Sequence, residues 1–216
     1  MHFEKGDIYH IYNQGNNRQR IFFERENYLF FLRKMRKHLL PHVNILAYCL
    51  MPNHFHWMVE IENLTVDPTH GVTQSHPASK QRILNESIAI LLRSYTRAIN
   101  KQQNRSGSLF REATKAECIT ATNGITPSFY NTKFGTRINT HFPEDEYLQI
   151  CFNYIHQNPV KAGLVNKQED WEFSSYRDYL GLRNGTLVDK KRCYELGLNF
   201  NSLGNFQSPR EEVSKS

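Results

Sequence analysis

Two histidines stand one residue apart in Met51-Pro52-Asn53-His54-Phe55-His56-Trp57-Met58-Val59-Glu60. Side chains alternate faces along an extended chain, so His54, His56, Met58 and Glu60 share one side while Phe55, Trp57, Val59 and Ile61 share the other. Imidazoles at i and i+2 can converge on one divalent ion, with a third ligand and a substrate completing its shell. The same pair is equally well two ordinary surface histidines, so a second constellation has to decide. Tyr154-Ile155-His156-Gln157-Asn158-Pro159-Val160-Lys161-Ala162-Gly163-Leu164-Val165 offers one. At helical spacing Tyr154 and Asn158 sit together on the flank of an apolar stripe centred on Leu148 and Ile155. A phenol of pKa about 10 is a poor nucleophile at neutral pH, but an ion that withdraws charge from a phosphate lowers the barrier to its attack. Asn158 offers a neutral carbonyl oxygen as the third ligand. Without the ion, Tyr154 reads as a packing residue with its hydroxyl in water. Pro159 biases Asn158 away from helical angles and is expected to stop the helix there. His156 points elsewhere on the helix and is left out of the site.

These residues need elements to hold them. Asp7 to Tyr12 alternates apolar and polar residues before Asn13-Gln14-Gly15-Asn16-Asn17, which predicts a strand closed by a turn. Tyr28, Phe31, Leu32, Met35 and Leu39 recur at helical spacing from Arg25 to Leu39, and Pro41 follows. Val43 to Leu50, the Pro52-Asn53 turn and His54 to Ile61 predict a hairpin. Residues 62 to 81 predict a loop, and Arg82 to Gln102 a second amphipathic helix built on Leu84, Ile88, Leu91, Leu92, Tyr95 and Ile99. Ser108 to Ile119 is expected to return a strand to the sheet. Residues 120–142 carry several breakers and are expected to be a surface insertion. Pro143 and three acids then start a third helix with Leu148, Cys151, Phe152 and Ile155 as its stripe.

This β-α-β-β-α-β order with a further helix predicts a ferredoxin-like α+β fold, an antiparallel sheet with helices packed on one face. The Phe55 side of the hairpin then faces the helices, and the histidine side is expected to be open to something polar. Residues 1–200 form one expected domain and 201–216 a polar, frayed tail.

The bulk composition is consistent with a single catalytic domain. The chain has 216 residues, and 27 Lys+Arg against 21 Asp+Glu give a formal charge of +6 and a pI near 9.1, which favours a phosphate-rich partner. Cys49, Cys118, Cys151 and Cys193 form no CxxC, which argues against a zinc ribbon or a redox pair and suggests reduced thiols in the cytoplasm. No apolar run approaches the roughly 20 residues of a membrane span, and the N-terminus lacks a signal-peptide core. A soluble, cytoplasmic protein with no membrane partner is expected.

Taken in order, the His54-Phe55-His56 segment, Ser106-Gly107-Ser108-Leu109-Phe110-Arg111, the Tyr154 segment and Trp171-Glu172-Phe173-Ser174-Ser175-Tyr176 resemble the single-tyrosine HUH transposases, in the branch of REP-associated tyrosine transposases. The likeness spans about Tyr9 to Leu180. It implies a ferredoxin-like fold in which a central strand carries His54 and His56 as metal ligands. Tyr154 is the implied nucleophile on a neighbouring helix, and Asn158 stands where relatives carry a polar third ligand. The implied reaction is transesterification on single-stranded, hairpin-containing DNA through a 5′-phosphotyrosine link. Mg²⁺ or Mn²⁺ is the implied ion, because hard cations suit charge neutralisation on phosphate. No nucleotide cofactor is needed, and a monomer working at the nucleoid is favoured over a homodimer. The chain departs from the pattern at Leu109-Phe110-Arg111-Glu112-Ala113-Thr114-Lys115, where relatives carry LFQ and a basic-aromatic pair, and in the added segment 120–142. Two other readings remain at this level: a hairpin DNA- or RNA-binding module without cleavage, and a metal-dependent hydrolase in which Tyr154 is structural.

Polar and basic groups supply the expected DNA contacts. Asn13, Asn16, Arg18 and Arg20 lie in and after the first turn, where loops of this kind bind phosphates or unpaired bases. Arg93, Arg97, Arg111 and Lys115, with Lys101 and Arg105 nearby, cluster around the second helix and the strand after it and predict a DNA-facing groove. Trp171 and Tyr176 are expected to pack against the core rather than stack on bases.

Overall fold

A computed structural model of the chain describes residues 1–67, 81–120, 128–132, 135–139 and 144–199. The first strand forms as β1 (Ile8–Gln14), followed by α1 (Arg25–His38), β2 (Val43–Met51), β3 (His54–Ile61), the short pair β4 (Thr65–Val66) and β5 (Arg82–Ile83), and α2 (Leu84–Gln102). Then come β6 (Lys115–Cys118), β7 (Ser128–Thr132), β8 (Gly135–Asn139), α3 (Glu144–Lys161), α4 (Tyr176–Tyr179) and α5 (Lys190–Glu195). Pro143, most of the expected loop at 62–81 and the tail beyond residue 199 lie outside the described residues. Within 120–142, β7 and β8 pair with each other in a sheet of their own.

The main sheet has the order β2-β3-β1-β6 with every pair antiparallel, the ferredoxin-like arrangement expected from the element order. α1 and α2 cover one face. Phe55, Trp57, Val59 and Ile61 are all at most 1 % exposed there and pack with Phe31, Met35, Leu91 and Tyr95. Fully burying each such side chain is worth about 1.5–3 kcal/mol, so this face dominates the core.

The histidine face is not open as expected. α3 lies across it, and Leu148, Cys151, Phe152 and Ile155 pack on Met58, Ile8 and the outer half of β2. The physical reason is that β2 is apolar on both sides, with a register shift between Ile45 and Ala47 that decides which residues face which way. Val43 and Ile45 face α1 and α2, while Leu46, Ala47, Cys49 and Met51 join Ile8 and Met58 in a second apolar surface that needs a cover. The carbonyl of Leu46, left out of the ladder, accepts hydrogen bonds from the Tyr179 hydroxyl and from Cys193 Sγ, which ties α4 and α5 to the bulge.

Three other expectations change. Pro159 does not end α3 but lies inside it: Ala162 N–H bonds the Asn158 carbonyl at 2.9 Å, so the proline removes one donor while the next turn closes normally. The helix runs two residues further, to Lys161, and is capped by Gly163, whose φ of +67° lets Leu164 N–H reach the Pro159 carbonyl at 3.0 Å and its own N–H reach Val160 at 2.9 Å. The strand expected over Ser108–Ile119 is interrupted, pairing as a bridge at Phe110 opposite Gly15 and again as β6. The Trp171–Tyr176 segment covers the outer edge of β2: Leu50 N–H bonds the Phe173 carbonyl at 2.9 Å and Ser175 N–H the Tyr48 carbonyl at 3.0 Å.

Candidate active site

His54 opens β3 immediately after the Pro52-Asn53 turn, and that turn is clamped from outside. Gly15 N–H bonds the Asn53 carbonyl at 2.7 Å, and Ile21 and Phe22 N–H groups both reach the Pro52 carbonyl. Gly15 is required where this loop folds back on itself, because a Cβ there would stand 2.1 Å from the Gln19 carbonyl oxygen. The loop after β1 therefore fixes where His54 begins.

His54 Nδ1 lies 2.6 Å from Asn53 Oδ1 and its Nε2 3.4 Å from Asn158 Oδ1. His56 Nδ1 lies 2.9 Å from Nε2 of His10, a buried histidine of β1. The two β3 imidazoles are nearly perpendicular with centroids 5.0 Å apart. From α3, Tyr154 sets its ring edge-to-face against His56 at 5.4 Å and against His10 at 6.0 Å, while remaining 41 % exposed. Lys161, two turns on, carries its ammonium 5.8 Å from the Tyr154 ring centroid. Tyr12, beside His10 and His56, donates its hydroxyl to Glu117 Oε1 at 2.6 Å.

The electrostatics favour neutral imidazoles. Burial lowers the pKa of His54, with the Asn158 side chain opposing, and lowers that of His56 well below its ordinary value, with His10 and His54 adding to the effect. Burial alone takes His10 down to about 4. The Tyr154 phenol is pushed up by desolvation; the Asn158 side chain beside it pulls down, while Cys151, Glu117 and Cys49 push up. A neutral tyrosine and neutral histidines are the resting forms at pH 7.

The donor set, two imidazole nitrogens and an amide oxygen, can take a divalent ion. With the His54 proton on Nδ1, facing Asn53 Oδ1, His54 Nε2 and Asn158 Oδ1 would both present lone pairs across 3.4 Å, a pairing that a cation would satisfy. Among the described residues no cluster of three His, Cys, Asp or Glu forms a metal cage, so His54, His56 and Asn158 would hold the ion with neutral ligands alone. His156 is outside the site as expected, fully buried with Nε2 2.8 Å from Ser175 Oγ.

The expected DNA contacts divide by location. Asn16, Arg18 and Arg20 are exposed on the loop that clamps the His54 turn. Lys115 is exposed and pairs with Tyr12, which puts it on the histidine face at the sheet edge. Arg93, Arg97 and Arg111 instead line a groove of about 740 Å³ on the α2 side, with Ile88, Leu92 and Phe110 as its apolar floor. Asn13 is a correction. It is 4 % exposed, its Nδ2 donates to the Arg111 carbonyl at 3.2 Å and Thr114 Oγ1 at 3.0 Å, and its Oδ1 accepts from Gln14 N–H at 2.7 Å. The side chain spans the gap in the edge strand, and although it borders the groove of Arg93, Arg97 and Arg111, its amide protons are spent within the protein. Trp171 donates its indole N–H to the Leu50 carbonyl at 3.0 Å, and Tyr176 is buried, so both pack as expected.

Sequence reasoning missed His10, Asn53 and Lys161. Alternation in Ile8–Gln14 does place His10 on the face of Tyr12, and Lys161 follows Tyr154 by seven on α3. What the sequence lacks is the register Tyr12↔His56, which brings β1 beside the two histidines.

No family model and no curated protein matches the chain. A solved structure does: that of the REP-associated tyrosine transposase bound to a REP hairpin, at 17 % identity and a TM-score of 0.50, over 88 % of this chain and 92 % of that one. The chain therefore has the fold of that transposase, an antiparallel sheet with helices, reached at a level of sequence identity where the fold alone is shared.

Proposed function

We propose that the protein is a metal-dependent endonuclease of transposase type, cleaving and rejoining single-stranded, hairpin-containing DNA through a covalent link to Tyr154. The observation that carries this reading is the convergence of His54, His56, Tyr154 and Asn158 from elements 104 residues apart in sequence. The hairpin bound by the structural neighbour supports the choice of substrate.

His54, His56 and Asn158 would hold Mg²⁺ or Mn²⁺, and the ion would supply charge neutralisation at the scissile phosphate. The protein's own groups do the rest. Tyr154 Oη attacks phosphorus, and the Oη–P bond forms as the bond from phosphorus to the 3′ oxygen breaks. The phenol proton passes to solvent, which reaches the exposed ring, and the departing oxygen is protonated to a free 3′-OH. Attack of a 3′-OH on the phosphotyrosine reverses the step, so the phosphodiester energy is kept and no nucleotide cofactor is consumed. Asn158 Nδ2 is a buried donor with no partner among the described residues, available to the phenolate or a phosphate oxygen. The Lys161 ammonium adds positive charge beside the nucleophile.

Arg93, Arg97 and Arg111 in the α2-side groove give the nucleic acid a second hold, and Asn16, Arg18, Arg20 and Lys115 contact its backbone nearer the nucleophile. A strand joining the two regions passes the β6 edge.

The test is to incubate the protein with labelled hairpin DNA carrying single-stranded flanks, in Mg²⁺ or Mn²⁺, and run a denaturing gel. Wild type should give a covalent adduct, and Tyr154→Phe, His54→Ala and His56→Ala should give none while still binding the hairpin. Cleavage without any adduct would identify a hydrolase, and binding without cleavage in either ion a recognition module; each result overturns the reading.

A further inference from the structure

We infer that His10 is a positioning residue for His56: it accepts the His56 Nδ1 proton on its own Nε2, and so fixes the ring and leaves the His56 Nε2 lone pair facing the site. This rests on the reading of His54, His56 and Asn158 as metal ligands, and adds a residue that no motif of the sequence singles out.

The argument starts from register. Tyr12 stands opposite His56 and His10 opposite Met58, so His10 is the diagonal neighbour of His56 on the same face of adjacent strands. The rings stack at 5.0 Å with planes 25° apart, and His10 Nε2 comes 2.9 Å from His56 Nδ1. Both side chains are buried, His10 at 8 % and His56 at 6 % exposure, so water does not compete freely for the contact.

A neutral imidazole carries one N–H and one lone pair. The short contact therefore has two solutions. If His10 Nε2 donates, the His56 proton is on Nε2 and blocks the ligand position. If His56 Nδ1 donates, Nε2 is free to bind a cation. Histidine ligands are held in the second way, with the far ring N–H donated to a fixed acceptor that sets tautomer and orientation. His54 has the matching geometry, its Nδ1 2.6 Å from Asn53 Oδ1. His10 is the matching acceptor for His56.

The choice of acceptor has a chemical consequence. Asn53 and His10 are both neutral, and the nearby Glu117 carboxylate is engaged by the Tyr12 hydroxyl at 2.6 Å. An ion held by these ligands would keep its full charge for a phosphate instead of spending it on a ligand carboxylate.

The test uses the full chain and two readouts besides activity. In metal-free protein labelled with ¹⁵N-histidine, long-range imidazole correlations should place the His56 proton on Nδ1, and in His10→Phe that signature should be lost. Mn²⁺ affinity, read by electron paramagnetic resonance, should fall about 10- to 100-fold in His10→Phe. His10→Gln, whose side-chain oxygen can accept the same proton, should recover most of it. A wild-type protein that binds no Mn²⁺ overturns the reading of the site itself. Wild type that binds Mn²⁺ with His10→Phe binding equally well, or a His56 protonated on Nε2, overturns the role of His10. Should His10→Phe fail to fold, the tautomer of His56 in wild type decides alone.

Discussion

Two asparagines separate what a residue type says from what its neighbours make of it. Asn158 sits with one amide oxygen aimed at His54 Nε2 and a donor to spare, whereas both ends of Asn13 are consumed by backbone and Thr114. The sequence held the clue for Asn13: Tyr9 and Ile11 alternate onto the α-helical face of β1, and Asn13 is next on that face. A polar residue there must satisfy itself internally. Asn13→Ala should therefore strand the partners that bridge the edge-strand gap and cost about 1–3 kcal/mol in a urea melt. Tyr154→Phe should stay within about 0.5 kcal/mol of wild type in the same melt, since its ring is exposed and only a hydroxyl is removed. An unchanged Asn13→Ala midpoint would mean that these hydrogen bonds do not hold the edge-strand gap closed. His54, His56, Tyr154 and Asn158 were legible because each carries a distinctive type at a spacing that a strand or helix converts into one face. His10 was not, because its meaning comes from pairing with another strand.

Element boundaries were legible where periodicity ran long. α1, α2 and the β2–β3 hairpin fall within a residue or two of expectation, each sustained by an uninterrupted apolar pattern. Failures occur where a single residue overrides the pattern. Leu46 inserts into β2 and turns half of that strand toward α3, and nothing in Val43–Met51 distinguishes a bulge from a plain strand when all nine residues are mostly apolar. Pro159 signalled an end to α3 that the structure defers to Gly163. The stop at Gly163 is conformational, because a Cβ there would meet nothing within 4 Å and only the φ of +67° resists it. Gly163→Ala should then destabilise the protein by about 1–2 kcal/mol, and Gly163→Asn by less, because asparagine tolerates the left-handed region better. Both are measured as shifts in denaturation midpoint at unchanged slope. Equal stability of Gly163→Ala and wild type would mean that the last turn of α3 refolds around the alanine.

At the level of the whole molecule, two apolar faces on one sheet leave several histidines enclosed in the neutral form, and this sets how the fold responds to acid. Burial takes His38, at the end of α1, down to about 4 and His156, under α4, down to about 3; burial also lowers His42, which lies 2.8 Å from Ser87 Oγ. In the unfolded chain each of them titrates near 6.5. Above that pH both states are uncharged and these groups contribute nothing to pH dependence. Between about pH 6.5 and 4 the unfolded chain binds protons that the folded chain refuses, so stability falls as pH falls. Glu60 has a pKa below its ordinary value, because the Arg192 and Asn44 hydrogen bonds outweigh its desolvation. Its stabilisation is lost only below about pH 4.5, in a separate and more acid window. Calorimetry of the metal-free protein from pH 7.5 to 4.5, in the presence of EDTA, should show Tm falling by roughly 5–10 °C with onset near pH 6.5. His38→Gln removes one titrating group at the end of α1, away from the site, and should flatten the slope even if it lowers Tm at pH 7.5. A Tm constant down to pH 5 would mean that the folded protein admits protons to these histidines as readily as the unfolded chain does.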